Sequence, residues 1–237
     1  MNIYLTKHFW GYEQLNPPPK NLPDNMKTIY VTDNKEYEKP LLDMGWDMVS
    51  VITDYVNVTD LRERRLIISE INCFPLKFIP KLSEFKNIFI CDSNVITLWK
   101  DYVKFVNKCT DDKCLFTTTD WYDGDRNNIV SEYLASSQPR WEYSYESIRK
   151  SKDEYVKIFS NLGVDVNSIG VCSAKYFGWN THHPMYDEMS KHLYEEYTKH
   201  IQGNIILSYM GVVYDNFVLK YKGNYDGGLV SSHNFEA

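Results

Sequence analysis

The sequence predicts a single α/β domain over residues 1–237, with a mostly parallel central sheet and helices on both of its faces. Two observations predict this fold class. Strand-like segments alternate with amphipathic helical segments along most of the chain, as expected for parallel strands joined by crossover helices. The run Ile88–Cys91 is apolar without alternation, which is typical of a central strand buried on both faces. A loose, glycine-containing tail is expected from about residue 223.

The predicted elements follow in chain order. Strands are expected at Asn2–Thr6, Lys27–Thr32, Met48–Thr53, Asn87–Cys91, Leu115–Thr119 and Ile169–Phe177. Helices are expected at Lys35–Met44, Leu61–Ile71, Leu98–Val106, Ile129–Ser136, Ser144–Leu162 and Tyr186–His200. Asp33 and Asn34 are suited to cap the first helix, and Gly163 is suited to end the fifth. The proline-rich stretch 16–23 predicts an extended surface loop, because proline lacks the amide donor.

Composition limits the classes of partner. The net charge is −6 and no sustained basic block occurs, which argues against a nucleic-acid partner. A small phosphorylated ligand is compatible with this charge. The chain holds 19 Tyr, 11 Phe and 6 Trp, whose flat faces suit stacking on bases or sugar rings as well as packing in a core.

The cysteines and the apolar runs indicate a cytoplasmic protein. The five cysteines form no CxxC pair, and their odd number favours free thiols in a reducing compartment. The amino terminus lacks the apolar core of a signal peptide, and no segment approaches the about 20 apolar residues of a membrane span. We therefore expect neither secretion nor a membrane span.

The segment Asp92-Ser93-Asn94 directly follows the predicted central strand. Ligands of open α/β sheets bind outside the carboxyl ends of the strands, and oxygen ligands of this kind suit Mg²⁺ or Mn²⁺. Taken alone, the three residues favour a turn, since each readily bonds its own backbone. Because Thr6, Asp33 and Asp54 also end predicted strands, several polar residues are expected at one edge of the sheet. That recurrence favours a metal site at Asp92 and Asn94.

Two further polar segments are candidates for ligand contact. The predicted second helix carries Arg62, Arg64 and Arg65 on a basic face that could bind a diphosphate, although a solvated helix face is the more common role of such a cluster. The loop after the fifth predicted strand holds several acids that could act as bases, as metal neighbours or only in solvation, namely Asp120, Asp123 and Asp125. We predict that this loop and the segment Gly178–His183 flank the sugar and acceptor side of a cleft.

Four short motifs occur in the order seen in a known family. An aromatic turn with Gly11-Tyr12 precedes a proline-lysine loop, and the next strand ends in Asp33-Asn34. The central strand ends in Asp92-Ser93-Asn94, and a late helix is followed by Gln202. Over residues 2–217 these motifs together resemble a GT-A-type glycosyltransferase. They are similar to a plant family of glycosyltransferase-like proteins with roles in turgor and seed mucilage, and to similar proteins of large DNA viruses.

The chain also departs from that family. The family has a segment of the form Lys-x-x-Pro-His-Lys-Phe before the central strand, of which only Pro75, Lys77 and Phe78 persist here. Its Arg-Asp-Gln motif is represented by His200, Ile201 and Gln202, so both charged residues are absent. These departures leave open a different specificity or a loss of activity.

The resemblance implies a donor and a metal. The donor would be a nucleoside-diphosphate sugar, most commonly a UDP-sugar, and the acceptor a hydroxyl of a glycan or glycoprotein. The metal, Mn²⁺ or Mg²⁺, would be held by Asp92 and Asn94, with His233 as the candidate carboxy-terminal ligand. Thr6, Tyr12, Asp33 and Asp54 would line the nucleotide pocket. The further candidates for donor binding are Arg62, Arg65 and Lys77. A base on the acceptor hydroxyl would come from Asp120, Asp123 or Asp125.

Two other functions remain open from the sequence. A nucleotide-sugar-binding module without catalysis would explain the missing family residues. A metal-dependent phosphohydrolase would be compatible with the Asp-x-Asn pair alone, although such enzymes normally bring several carboxylates or histidines around their metals.

Overall fold

A computed structural model describes residues 1–11, 14–119, 145–200, 203–222 and 229–230. Its strands are β1 Asn2–His8, β2 Met26–Thr32, β3 Met48–Val51, β4 Asn87–Asp92, β5 Val95–Thr97, β6 Leu115–Thr119, β7 Cys172–Asn180, β8 Val218–Lys222 and β9 Leu229–Val230. Its α-helices are α1 Glu38–Asp43, α2 Leu61–Cys73, α3 Pro75–Phe78, α4 Tyr102–Lys108, α5 Tyr145–Asn161, α6 Tyr186–Lys199 and α7 Gly203–Val213.

Seven strands form one mixed sheet in the order β3-β2-β1-β4-β7-β6-β8, and β5 pairs with β9 in a small second sheet. The strands β1 to β4 are parallel, and β6 is parallel to β8. Only β7 runs antiparallel to its two neighbours in this sheet. The predicted α/β class with a mostly parallel sheet is therefore confirmed.

The two faces of the sheet bury separate apolar clusters. Along β4, Ile88 and Ile90 join the cluster that includes residues of α2, α6 and α7. Phe89 and Cys91 point the other way, into a cluster that includes aromatic residues of α4. Burial on both faces explains why this strand is apolar without alternation. Each fully buried side chain of this size contributes about 1.5–3 kcal/mol.

No helix in the described ranges combines the length and the apolar character that crossing a bilayer requires.

His200 joins α5 to α6. It follows the last residue of α6, and its backbone amide donates to the carbonyl oxygen of Glu196 at 2.8 Å. Its Nδ1 lies 2.9 Å from Ser151 Oγ on α5, and its Nε2 lies 3.3 Å from Glu154 Oε2. His200 therefore connects the two helices through a buried imidazole.

Gly178 of β7 pairs with Phe89 of β4 and lies close to the backbone of that strand. A Cβ at this position would lie 2.8 Å from the carbonyl oxygen of Ile88 and 3.3 Å from the Cα of Phe89, both of them backbone atoms. We predict that Gly178→Ala destabilises the fold by about 1–3 kcal/mol, because the strands would have to separate. Urea unfolding followed by circular dichroism measures this. Gly163→Ala is the comparison: its φ of +70° gives strain, but nothing lies within 4 Å of the added Cβ. Equal costs at the two positions would contradict the close approach.

The buried imidazole of His200 predicts a pH-dependent stability. Burial lowers the pKa of His200 from its ordinary value of 6.5, and the carboxylate of Glu154 opposes that shift. The folded protein therefore binds this proton less readily than the unfolded chain, so stability is lost as the pH falls below about 6.5.

We predict that the free energy of unfolding decreases between pH 7.5 and 5.5, and that His200→Gln reduces the slope. The slope should not vanish, because burial also lowers the pKa of His8. Urea titrations at both pH values measure it, with the exposed His182→Gln as the control variant. A slope unchanged in His200→Gln and reduced in the control would contradict the assignment.

Candidate functional site at the carboxyl edge of the sheet

The carboxyl ends of the parallel strands meet at one edge of the sheet. Thr6 of β1 pairs with Cys91 of β4 on one side and with Tyr30 of β2 on the other. Thr32 of β2 pairs with Val51, the last residue of β3. The expectation that these strand ends share the edge of Asp92 is confirmed. The strand β6 has the same direction, so its last residue lies at this edge too.

The turn after β1 has an unusual backbone. Trp10 and Gly11 have φ values of 63° and 66°, so a bulky residue occupies the left-handed region next to a glycine. A non-glycine residue there is strained unless its surroundings hold it. The backbone amide of Trp10 donates to Asp33 Oδ2 at 2.9 Å, and its indole Nε1 donates to the carbonyl oxygen of Tyr55 at 2.9 Å. The ends of β2 and β3 therefore fix this turn.

Arg64 of α2 covers the same tryptophan. Its guanidinium carbon lies 4.9 Å from the centre of the Trp10 ring, and its Nε donates to the carbonyl oxygen of Val58 at 2.7 Å. The predicted basic face of α2 thus reaches the site through Arg64, whereas Arg62 is exposed and Arg65 is half-buried. Helical spacing alone does not indicate which arginine of α2 contacts the site, because the contact with Trp10 depends on the fold and is not visible from the sequence.

The last residue of β4, Asp92, differs in exposure from the two residues that follow it. Asp92 is exposed, while Ser93 and Asn94 are buried. The Nδ2 of Asn16, from the proline-rich loop, donates to the carbonyl oxygen of Ser93 at 3.2 Å. The Oδ1 atom of Asn94 has less than 1 Å² of exposed surface. Asp92 thus faces solvent at the edge, and the amide oxygen of Asn94 does not.

Two lysines flank Asp92 on the neighbouring strands. Lys7 of β1 is the register partner of Asp92. On the other side, Tyr176 of β7 is opposite Cys91, and Lys175 is the next residue towards Asp92. Burial lowers the pKa of Lys175, and the carboxylate of Asp92 opposes that shift. Burial also raises the pKa of Cys91 to about 12, so its thiol is protonated at neutral pH and is not a nucleophile.

The described residues fit a divalent metal poorly. Asp92 supplies one exposed carboxylate, the Oδ1 of Asn94 is covered, and two ammonium groups flank the carboxylate. In the ranges that the structure describes, no three His, Cys, Asp or Glu side chains converge as metal ligands. The candidate ligand His233 lies outside the described residues, so the Mn²⁺ or Mg²⁺ site stays a prediction.

The other predicted site residues differ in burial and in what they contact. The Thr6 hydroxyl donates to the carbonyl oxygen of Cys91 at 3.0 Å, inside the sheet. Asp33 is buried against the Trp10 amide, and Asp54 is exposed in the 3₁₀ turn Thr53–Tyr55. Lys77 pairs with Glu70 at 2.5 Å. The candidates outside the described residues are Tyr12, Asp120, Asp123, Asp125, Gln202 and His233.

The prediction that Gly178–His183 flanks the cleft is wrong. The strand β7 runs antiparallel, so Asn180 pairs with Asn87, the first residue of β4. The segment therefore lies at the opposite edge of the sheet from Asp92. The ring nitrogen Nδ1 of His183 accepts the amide of Met185 at 3.1 Å, and the Thr181 hydroxyl donates to the carbonyl oxygen of Phe85 at 3.1 Å. These residues shape a turn rather than the candidate site.

Comparisons with known proteins identify the fold. No protein-family model matches the chain, and no curated protein matches it in sequence. Mouse xyloside xylosyltransferase 1, in its apo form, is similar with a TM-score of 0.53 and 10% identity, over 93% of this chain and 85% of that chain. The bifunctional glycosyltransferase WbbM, also apo, is similar with a TM-score of 0.54 and 9% identity, over 92% of this chain and 38% of that chain. The chain thus has a GT-A-type α/β fold.

The contact between Asp33 and the Trp10 turn can be tested by substitution. We predict that Asp33→Ala lowers the free energy of unfolding by about 1 kcal/mol or more, because the amide of the half-buried Trp10 loses its acceptor. Asp33→Asn keeps an oxygen acceptor and should cost less. Urea unfolding measures both variants, with the exposed Asp54→Ala as the control. If Asp33→Ala were as stable as Asp54→Ala, the carboxylate would not hold the turn.

Proposed function

We propose that the protein is a glycosyltransferase that moves a sugar from a nucleoside-diphosphate sugar, most commonly a UDP-sugar, to a hydroxyl of a glycan or glycoprotein acceptor. One observation carries the proposal: a GT-A-type sheet brings the Trp10 turn and the charged residues Lys7, Asp92 and Lys175 to the same edge. Ligands of open α/β sheets bind at such an edge. The similar solved structures include glycosyltransferases, which supports the reaction class.

The parts of the edge suit different parts of a donor. The Trp10 turn, held by Asp33 and covered by Arg64, is a rigid aromatic and cationic surface suited to a nucleoside. Lys7, Asp92 and Lys175 form a charged row across the neighbouring strands β1, β4 and β7, and this row suits the diphosphate. The strand β1 also leads into the Trp10 turn. The nucleoside and the diphosphate can therefore bind along one continuous edge.

Transfer requires a group that accepts the proton of the acceptor hydroxyl. The candidate acids are Asp120, Asp123 and Asp125, which follow β6 in the sequence. Thr119, the last residue of β6, lies at the candidate edge and directly precedes Asp120 in the sequence. Their role and that of Gln202 remain proposals, as does a Mn²⁺ or Mg²⁺ cofactor.

A nucleotide-sugar-binding module without turnover is the second candidate. The departures at His200 and in the segment before β4 favour it, because charged residues of the resembled family are missing there. His200 contacts Ser151 and Glu154, so its imidazole does not substitute for an arginine that binds a ligand. Both candidates need the same nucleotide site, and only turnover separates them.

The proposal predicts selective binding of a nucleoside diphosphate. Isothermal titration with UDP, GDP and CMP, each with and without Mn²⁺, should show the tightest binding for a nucleoside diphosphate. Trp10→Ala should weaken that binding about tenfold or more, since stacking on an aromatic ring is worth about 1–3 kcal/mol. The control variant is Leu162→Ala, because Leu162 is exposed and its replacement should leave nucleotide binding unchanged. Trp99→Ala is unsuitable as a control, since the Trp99 ring is buried and its loss would disturb the core.

Turnover of UDP-sugars with glycan acceptors then tests the reaction. Release of UDP that depends on an acceptor would support the glycosyltransferase. Binding without turnover for a broad donor and acceptor panel would favour the binding module. Absence of nucleotide binding under every condition would contradict both, and release of phosphate from simple esters would favour a phosphohydrolase.

A further inference from the structure

We propose that Lys7 and Lys175 together bind the diphosphate of the donor and supply positive charge that a divalent metal would otherwise supply. The inference rests on the proposed function, because it concerns the ligand of the same edge. It differs from the sequence prediction, which assigned this charge to a metal at Asp92 and Asn94. The observations that carry it are the strand register, the irregularity of β7 and the unequal exposure of the two predicted metal ligands.

The strand register places the two lysines on either side of one carboxylate. In a sheet, neighbouring strands lie about 4.7–4.9 Å apart. Lys7 of β1 is in register with Asp92 of β4. On β7, Lys175 precedes Tyr176, the partner of Cys91, and so lies beside Asp92. Both lysine side chains therefore start about one strand spacing from Asp92. Two cations therefore bracket one anion at the end of the central strand.

The irregularity of β7 lies beside Lys175. On β6, Thr117 pairs with Phe177 but Thr119 pairs with Cys172, so extra residues of β7 are accommodated between these pairs. Such bulges redirect side chains and occur next to functional sites. The Nζ of Lys175 lies 5.5 Å from the centre of the Tyr176 ring. Lys175 therefore lies in the irregular part of β7, with its ammonium group near the Tyr176 ring.

The burial of the row makes its charges effective. Lys7 is 8% exposed and Lys175 is half-buried, whereas Asp92 is exposed. Charges that are partly removed from water interact with a ligand more strongly than charges on the open surface. A diphosphate bound at the solvent side of Asp92 would meet both ammonium groups at the strand ends. Asp92 would then be the counter-charge of the lysines before a ligand binds, instead of a metal ligand.

The covered oxygen of Asn94 separates this arrangement from a metal site. A cation held by Asp92 and Asn94 would need both oxygens, but the Asn94 oxygen has less than 1 Å² of exposed surface. A divalent cation at Asp92 would also lie between the ammonium groups of Lys7 and Lys175, which would repel it. A dianionic ligand meets the opposite situation, since both ammonium groups attract it. The electrostatics of the described residues therefore favour an anion at this position.

Titration with inorganic pyrophosphate in excess EDTA tests the inference directly. We expect measurable binding to the wild-type protein without a metal. Lys175→Met should weaken it about tenfold or more, because hydrogen bonds to charged groups are worth about 1.5–3 kcal/mol. Lys104→Met is the matched control: this exposed lysine on α4 pairs with Asp101, away from the row. Its affinity for pyrophosphate should equal that of the wild type.

Two further variants keep the test decisive. Because Lys7 is buried, the pyrophosphate affinity of Lys7→Met is interpreted only if a circular-dichroism melt shows that the variant is folded. The affinity of Lys175→Met decides the test in either case. Asp92→Asn removes the competing carboxylate, so pyrophosphate should bind at least as tightly as to the wild type. Affinity that falls severalfold in Asp92→Asn would contradict the inference.

The same titrations with UDP separate this inference from the proposed function. No pyrophosphate binding in EDTA, or equal binding by Lys175→Met and wild type, would overturn the lysine site. If UDP then bound with Mn²⁺ alone, the nucleotide site would stand with a metal in place of the lysines. Pyrophosphate binding that needs Lys175, without any UDP binding, would support the anion site and contradict the nucleotide-sugar function.

Discussion

The register of β1 between β2 and β4 is the constraint on which the candidate site depends. Because Thr6 is in register with both Tyr30 and Cys91, the three strands end at one edge of the sheet. The Thr6 hydroxyl reinforces this alignment by donating to the carbonyl oxygen of Cys91. A slip of one residue would send the side chains of β1 to the other face. The Trp10 turn and the lysine row would then no longer be neighbours.

The pattern of apolar residues was sufficient to predict the parallel half of the sheet. The run Ile88–Cys91 is buried on both faces, and the polar residues after β2 and β4 lie at the carboxyl edge, as their positions indicated. The direction of β7 was not predictable in the same way. An apolar run reads alike in both directions, and only its pairing with Ile88 and Phe89 shows that it is antiparallel. The wrong placement of Gly178–His183 followed from that single ambiguity.

The structure shows what several predicted site residues contact, while their roles toward a ligand stay predictions. Asp33 was assigned to the nucleotide pocket, but its carboxylate holds the Trp10 amide. Asp92 was recognised, whereas Lys7 and Lys175 were not, because a lysine in a strand carries no signal that distinguishes it from a solvated residue. The charge environment of Asp92 is a property of three strands that are distant in sequence. It becomes visible only when the sheet order is known.

The most direct test of the account is a crystal structure of the protein grown with UDP, once in EDTA and once in Mn²⁺. The account predicts the same position in both: the uracil ring against the Trp10 turn, and the diphosphate within hydrogen-bond distance of Nζ of Lys175 at the end of β4. A nucleotide bound at the opposite edge, near Asn180 and the first residues of β4, would contradict it.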